Sequence, residues 1–292
     1  MPNSITLAQQ FIPLLDETYA LASVTASLDG NPDLVRQGAN ANELIIPKMS
    51  MQGLGDYSRN SGYVNGDVTL TNETVKCNFD RGRMFNIDNM DNIETAGIAF
   101  GQLAGEFIRT KVALELDAFR FACYAGTSGI SKVAAGATLA DGAAVIAALR
   151  VAITKMDEDE VPANERYLYI TPLLLGYVQD MDTTKSREVM QNFAGMAKVP
   201  QTRFYTAIEQ KDGSTEGEEA GGYTKAAAGL DINFMLIHKP AVIQFPKHIA
   251  PKIITPDVNQ SGDAYKFGYR QVGIADVYEN KVAGIYLHHK AS

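Results

Sequence analysis

The chain has 292 residues, 46% of them hydrophobic and 21% charged, with a formal net charge of −8. This length and balance suit one large folded domain or two ordinary ones and exclude a disordered chain. The acidic balance excludes a general nucleic-acid binder, which needs a basic surface to neutralise phosphates; it fits solubility, or a protein that sits near DNA without adhering to it.

The N-terminus, MPNSITLAQQF, lacks the basic region and apolar run of a signal peptide. No stretch approaches the roughly 18 apolar residues of a membrane span. Residues 1–42 read as an arm. Leu7, Phe11, Leu14 and Leu15 suggest a short amphipathic helix interrupted by Pro13, and Gly30, Pro32 and Gly38 follow without a core-forming period. Such an arm needs a surface to lie on, its own body or a neighbour.

Residues 43–88 read as a long hairpin. Glu43–Met51 is strand-like, with Pro47 placing it toward an edge. The tip, Gln52–Gly66, carries Gly53, Gly55, Gly62 and Gly66. Asp67–Asp88 returns as strand, with Val68 and Leu70 in one phase and Val75, Cys77 and Phe79 in the other. The change near Asn72 predicts a bulge or bend. A lone two-stranded ribbon is marginal in water, so a partner surface is implied. Arg81 and Arg83 at its base read either as anchors for carboxylates or as solvated surface.

Ile98–Ala125 is the longest helical stretch, about 28 residues or roughly 42 Å. Phe100, Phe107, Leu114 and Phe121 recur every seven residues on one stripe; Ile108, Val112, Leu116, Phe119 and Cys123 form a second. Lys111 and Glu115 divide the stripes on one side, at pairing distance, and Glu106, Arg109, Asp117 and Arg120 on the other. Two stripes predict a helix covered from two sides.

Asp141–Met156 is a second amphipathic helix, with Val145, Leu149, Ala152, Ile153 and Met156 on its face. Arg166–Thr171 reads as a buried strand and Leu173–Asp180 as a helix behind Pro172. Val189–Ala197 is weakly helical and Arg203–Ile208 strand-like. In the loop Glu209–Gly222, five acidic side chains against Lys211 leave a charge of −4, and exposure and mobility are expected. Ile232–Ile237 and Ala241–Phe245 read as strands, and Pro246, Pro251 and Pro256 as spacers of a connector. Ala264–His289 reads as an antiparallel pair turning at Glu279-Asn280-Lys281.

No phosphate loop, dinucleotide fingerprint or nucleophile elbow is present. The four histidines lack helical ligand spacing, and Asp157–Glu160 is a solvated helix end rather than a cation cage. Cys77 and Cys123 read as free buried thiols in preference to a disulfide or a metal site. No catalytic, cofactor-binding or metal-ligating residue is assigned, and an enzyme is not expected.

The order of parts resembles the major capsid proteins of tailed bacteriophages, the Hong Kong 97 fold. GDYSRNSGYVNGDVTLTNETVKCNFDRGRMFNIDNMDN is similar to the extended loop and its return, and Ile98–Ala125 to the spine helix. NERYLYITPLLLGYVQD is similar to a strand–helix unit of the axial domain, and KFGYRQVGIADVYENKVAGIYLHH to the closing strands. The resemblance implies an α+β chain with an N-terminal arm (1–42), an extended hairpin loop (43–88) and a peripheral domain with the spine helix (89–140). An axial α/β domain (141–255) and returning strands (256–292) complete it. It implies hexamers and pentamers of an icosahedral head enclosing double-stranded DNA, with no sequence-specific DNA contact and no membrane. Tyr57, Arg59, Tyr63, Arg81 and Arg83 become the candidates for contact between subunits. A separate scaffolding protein, a portal and a decoration protein are the implied partners. Assembly is expected in the host cytoplasm and residence in the virion. A bacterial compartment shell of the encapsulin kind is the alternative, and an oligomeric enzyme with a dispersed site a more distant one.

Overall fold

A computed structural model describes residues 23–30, 36–37, 43–94, 103–181 and 183–291. The arm helix expected at Leu7–Leu15 and the first turn of the helix expected from Ile98 lie outside the described residues. Residues 23–30 form a strap with one 3-10 turn, Ala26–Leu28. Strands β1 (Arg36–Gln37), β2 (Glu43–Met51) and β3 (Val68–Lys76) form a sheet in that order. β1 covers only Leu44 and Ile45 of β2. The remainder is a two-stranded ribbon whose register runs from Glu43 opposite Lys76 to Met51 opposite Val68.

The bend expected at Asn72 is absent, because Asn72 sits opposite Pro47 in an unbroken ladder. The chain instead changes sheets at Cys77-Asn78. There the Asn78 amide donates to the Ala275 carbonyl (2.7 Å) and accepts from the Ala275 N–H (3.1 Å). β4 (Phe79–Asp88) then pairs with β12 (Ala264–Val277), which also pairs with β11 (Val242–Ile254).

After α1 (Asn89–Glu94) comes a long helix, α2, built of Leu103–Phe107, a π-helical turn Ile108–Val112, and Ala113–Gly126. It is covered from two sides, but not along the two expected stripes. Phe107 packs on Phe85 (4.8 Å) and Phe119 on Phe79 (5.0 Å), both in β4. Phe121 packs on Tyr169 (5.3 Å) and Phe204 (4.8 Å) on the other side. The wider π turn rotates the face that follows it, so Phe107 and Phe121 part company despite their spacing.

A five-stranded sheet holds the main core. Its order is β5 (Ser131–Lys132), β13 (Ile285–His289), β10 (Ile232–His238), β6 (Arg166–Ile170), β7 (Gly195–Lys198). One face packs Leu168, Ile170, Phe234, Leu236 and Tyr286 against α3 (Gly142–Glu158) and α4 (Pro172–Met181). The other packs Tyr169, Met235, Ile237, Ile285 and Leu287 against Phe121 and Tyr124 of α2. α3 starts at Asp141, which accepts from the Ala144 N–H (2.8 Å), and Pro172 opens α4. Gly142 has no room for a side chain: a Cβ there would lie 2.3 Å from the Tyr177 carbonyl.

Several expectations are corrected. The weak helix expected at Val189–Ala197 is α5 (Thr184–Met190), capped by Thr183, followed by β7. The strand expected at Arg203–Ile208 is a 3-10 turn (Gln201–Arg203) leading to β8 (Ile208–Gln210), which pairs with β9 (Tyr223–Lys225). The Pro246–Pro251 connector is part of β11. That strand is the sheet edge, where a missing N–H is tolerated, and its register shifts between Pro246 and His248. The C-terminal strands do not pair with each other. A 3-10 segment, Glu279–Gly284, carries the chain from β12 in one sheet to β13 in the other.

Candidate functional site

Most of the ribbon β2–β3 is exposed; in β3 only Val75 is buried. Because ladder partners share a face, Met49, Met51, Val68 and Leu70 form one apolar outer face, with exposures of 58%, 67%, 66% and 66%. Near the root the opposite face is apolar: Ile46 and Val75 pack on Ile243, Phe245 and Ile274. The phase change in the sequence therefore marks a switch of apolar face along a straight ladder. The root face is filled by the subunit; the tip face is bare. At the tip Ser58 and Gly62 bridge, Gly62 taking a φ of 77° that favours glycine. This places Tyr57 and Tyr63 edge to face at 4.9 Å, both exposed, with Arg59 exposed beside them.

Beneath the ribbon, Lys48 pairs with Glu279 at 2.7 Å. Further in, the strap is locked to α2. Asp117, 0% exposed, accepts from Ser23 Oγ (2.7 Å), Val24 N (2.9 Å), Thr25 Oγ1 (2.6 Å) and Arg203 Nη1 (2.9 Å). Arg120 donates to Thr25 Oγ1 (2.8 Å) and pairs with Asp29 (3.1 Å), and Gln244 donates to the Thr25 carbonyl and to Asp29 (2.7 Å each). Asp117 and Arg120, expected to divide the two stripes, are thus buried. The periodicity of the helix carries no sign of this, because their partners come from the strap, β11 and the Gln201–Arg203 turn.

Arg81 and Arg83 spend donors within the subunit. Arg81 pairs with Glu115 (2.7 Å) and donates to the carbonyls of Lys211 (2.7 Å) and Gly222 (3.3 Å). Arg83 donates to the Glu219 and Ala220 carbonyls (2.8 and 3.1 Å). The arginines thus hold the acidic loop chiefly through its backbone. Glu115 turns to Arg81 rather than Lys111. The acidic loop is exposed as expected, but dense local bonding shapes it. Asp212 accepts from the Ser214 and Thr215 N–H groups and the Thr215 hydroxyl, which together push its carboxyl far below the usual carboxylate range. A cleft of about 890 Å³ lies between this loop, β4 and α2, lined by Phe85, Phe107, Leu114, Tyr205 and Tyr223.

These groups make no catalytic couple. Burial pushes the Cys123 thiol up to about 12, so it is not a ready nucleophile, and both cysteines are free and partly buried. Burial and the adjacent His289 hold His288 down to about 4; its ring meets Asn233 (3.0 Å) and stacks on Phe234. Among the described residues no three His, Cys, Asp or Glu side chains gather as a metal site, and no helix is long and apolar enough to cross a membrane.

No family model and no curated protein matches the chain. Solved structures match it over nearly its whole length. A structure from Mycobacterium phage Che8 superposes with a TM-score of 0.64 at 13% identity, covering 99% of this chain and 96% of that one. The capsid structure of cyanophage P-SCSP1u superposes with a TM-score of 0.62 at 13% identity, covering 98% and 93%. The chain has a phage capsid fold. A virus-like particle from Pyrococcus furiosus also superposes, with a TM-score of 0.54 at 9% identity, covering 85% and 86%. Among the described residues the ribbon gathers four exposed apolar side chains on one face, and no pocket of converging titratable groups stands beside it.

Proposed function

We propose that the protein is a major capsid protein that assembles into the hexamers and pentamers of an icosahedral phage head around double-stranded DNA. One observation carries the reading: a full-length capsid fold whose projecting hairpin presents an apolar face that its own subunit leaves uncovered. Its role is structural, not catalytic. The ribbon lies over a neighbouring subunit through Met49, Met51, Val68 and Leu70, and Tyr57, Arg59 and Tyr63 make the tip contact. Arg81 and Arg83 act at one remove, by fixing the acidic loop beside the hairpin base. α2 serves as the spine helix of a peripheral domain (89–140), and β6, β7 and β10 with α3 and α4 form an axial domain (141–255), whose sheet β5 and β13 complete from outside those bounds. A scaffolding protein, a portal and a decoration protein complete the head, which is assembled in the host cytoplasm.

Electron microscopy and light scattering of the purified protein, alone and co-expressed with its neighbouring genes, test the reading. Shells, tubes or capsomer rings are expected; a persistent monomer under both conditions overturns it. Deleting Gln52–Gly66 should abolish assembly and leave the thermal transition of the subunit intact. A second reading, a compartment shell, is supported by the likeness to the Pyrococcus furiosus particle. DNA-filled particles formed in the presence of the packaging genes separate the two.

A further inference from the structure

The strap has a direction along α2. Ser23 Oγ and the Val24 N–H donate to the Asp117 carboxylate (2.7 and 2.9 Å), and Asp29 pairs with Arg120 (3.1 Å). The Gly30 N–H then donates to the backbone carbonyl of Gln244 (2.8 Å), whose side chain accepts from Tyr124 Oη (2.6 Å). From residue 23 to residue 30 the strap thus moves toward the C-terminal end of α2. Followed backwards from Ser23, it points along α2 toward Leu114 and Phe107. These two side chains line the cleft of about 890 Å³, opposite Phe85, Tyr205 and Tyr223. Thr202 also lines it, and its neighbour Arg203 donates to the same Asp117 carboxylate that holds Ser23 (2.9 Å). The strap therefore begins at the inner end of the cleft. The far wall is fixed in place: Arg81 and Arg83 hold the acidic loop by its carbonyls, and Tyr223 Oη donates to the Thr202 carbonyl (2.9 Å).

We propose that this cleft is the seat of the chain's own N-terminal segment, residues 1–22, with Phe11, Leu14 and Leu15 set against Phe107 and Leu114. The reach matches. Phe107 lies ten residues before Asp117 on α2, about 15 Å at the helical rise. Leu15, Leu14 and Phe11 lie eight, nine and twelve residues before Ser23, which the same rise converts to about 12–18 Å. The chemistry matches as well, since the segment brings large apolar side chains to aromatic walls. Charge agrees: residues 1–22 contain Asp16 and Glu17 and no Lys or Arg, whereas five basic and three acidic side chains line the cleft. An arm from a second copy carries the same groups. The subunit's own arm arrives already tethered at Ser23, and a short tether gives it an effective concentration in the millimolar range. The arm's surface is then its own body rather than a neighbour. This seat does not depend on the assembly reading.

A photoreactive benzophenone side chain, placed at Phe11 in one full-length chain and at Leu15 in another, tests the seat. After irradiation the products are separated on a denaturing gel and their cross-linked peptides mapped by mass spectrometry. Cross-links are expected within residues 103–115 and 202–225, in a band of single-chain mass. A band of double mass carrying the same cross-links means that a second copy fills the cleft and overturns the proposal. So do cross-links confined to other surfaces, or none from either position. Hydrogen exchange supplies an independent readout. Phe11→Ser with Leu14→Ser and Leu15→Ser should speed exchange several-fold in β8, in β9 and at residues 103–114, and leave β10 unchanged. Unchanged exchange at the cleft overturns the seat. Neither measurement needs a particle, so failure here is distinct from failure to form shells.

Discussion

Strands β10 and β3 are both regular antiparallel strands, yet only one is completed inside the subunit. All seven residues of β10 are buried, between β13 and β6 with helices over both faces. In β3 only Val75 is buried. The core strand holds itself by area removed from water, at about 25 cal/mol per Å². The ribbon has its hydrogen bonds and few apolar contacts, a combination that is marginal alone. The contrast separates two kinds of information in one chain: residues that make the subunit fold, and residues whose apolar surface the subunit leaves exposed. Substitutions should sort accordingly, with stability responding in one region and assembly in the other.

The largest effect on stability is expected where the core is polar. Asp117→Ala removes the acceptor of the strap and leaves Arg203, already with an unpartnered Nε, buried without a carboxylate. Breaking such a buried pair costs about 3–5 kcal/mol. Denaturant unfolding should show that loss, and limited proteolysis should release the segment before Ala26. A change below about 1 kcal/mol would mean that the strap is held by Leu28 and its apolar neighbours alone.

A smaller effect comes from His288. Its folded pKa of about 4 lies below the usual 6.5, so the folded state binds fewer protons than the unfolded one between those values. Stability is complete above pH 6.5 and falls as pH drops toward 4. At about 1.4 kcal/mol per pKa unit the loss approaches ~3 kcal/mol. Denaturant midpoints across this range should show the slope in the native chain and a flatter one in His288→Gln. Acid therefore weakens the core sheet at β13, the neighbour of β10.

Much of this was legible in sequence. RYLYIT before Pro172, Asp141 ahead of α3, and the alternation of β2 each carry their signal within a few residues, and local chemistry sets them. What escaped depends on distant partners. Asp117 and Arg120 read only as a divider between two apolar stripes, because a helical period says where a charge lies on the helix and not what meets it; their burial depends on Thr25 and Arg203, more than eighty residues away. Pro246 and Pro251 read as breakers because nothing local says that β11 is an edge strand. The two C-terminal strands read as a hairpin because Glu279-Asn280-Lys281 has turn chemistry, yet the 3-10 segment there changes sheets. At the hairpin, the phase change at Asn72 was visible but its meaning was not: a bend and a switch of apolar face leave the same pattern. Only the register decides between them.

The smallest expected effect on stability is the most informative about assembly. Met51→Ser with Leu70→Ser removes two large side chains from the outer face of the ribbon, where neither touches the cores beneath. Surface changes of this kind stay within about 0.5 kcal/mol, so unfolding should be unaltered. Particle yield should nonetheless fall sharply, because half of the apolar face proposed to drive association is removed. A control pair on the opposite face near the tip, Ser50→Ala with Thr69→Ala, should leave both readouts intact. If the outer-face pair assembles normally while the tip pair Tyr57→Ala with Tyr63→Ala does not, the partner contact is confined to the loop. The bare strand face would then be solvent-facing in the shell, and the contrast with β10 would be one of exposure rather than of deferred burial.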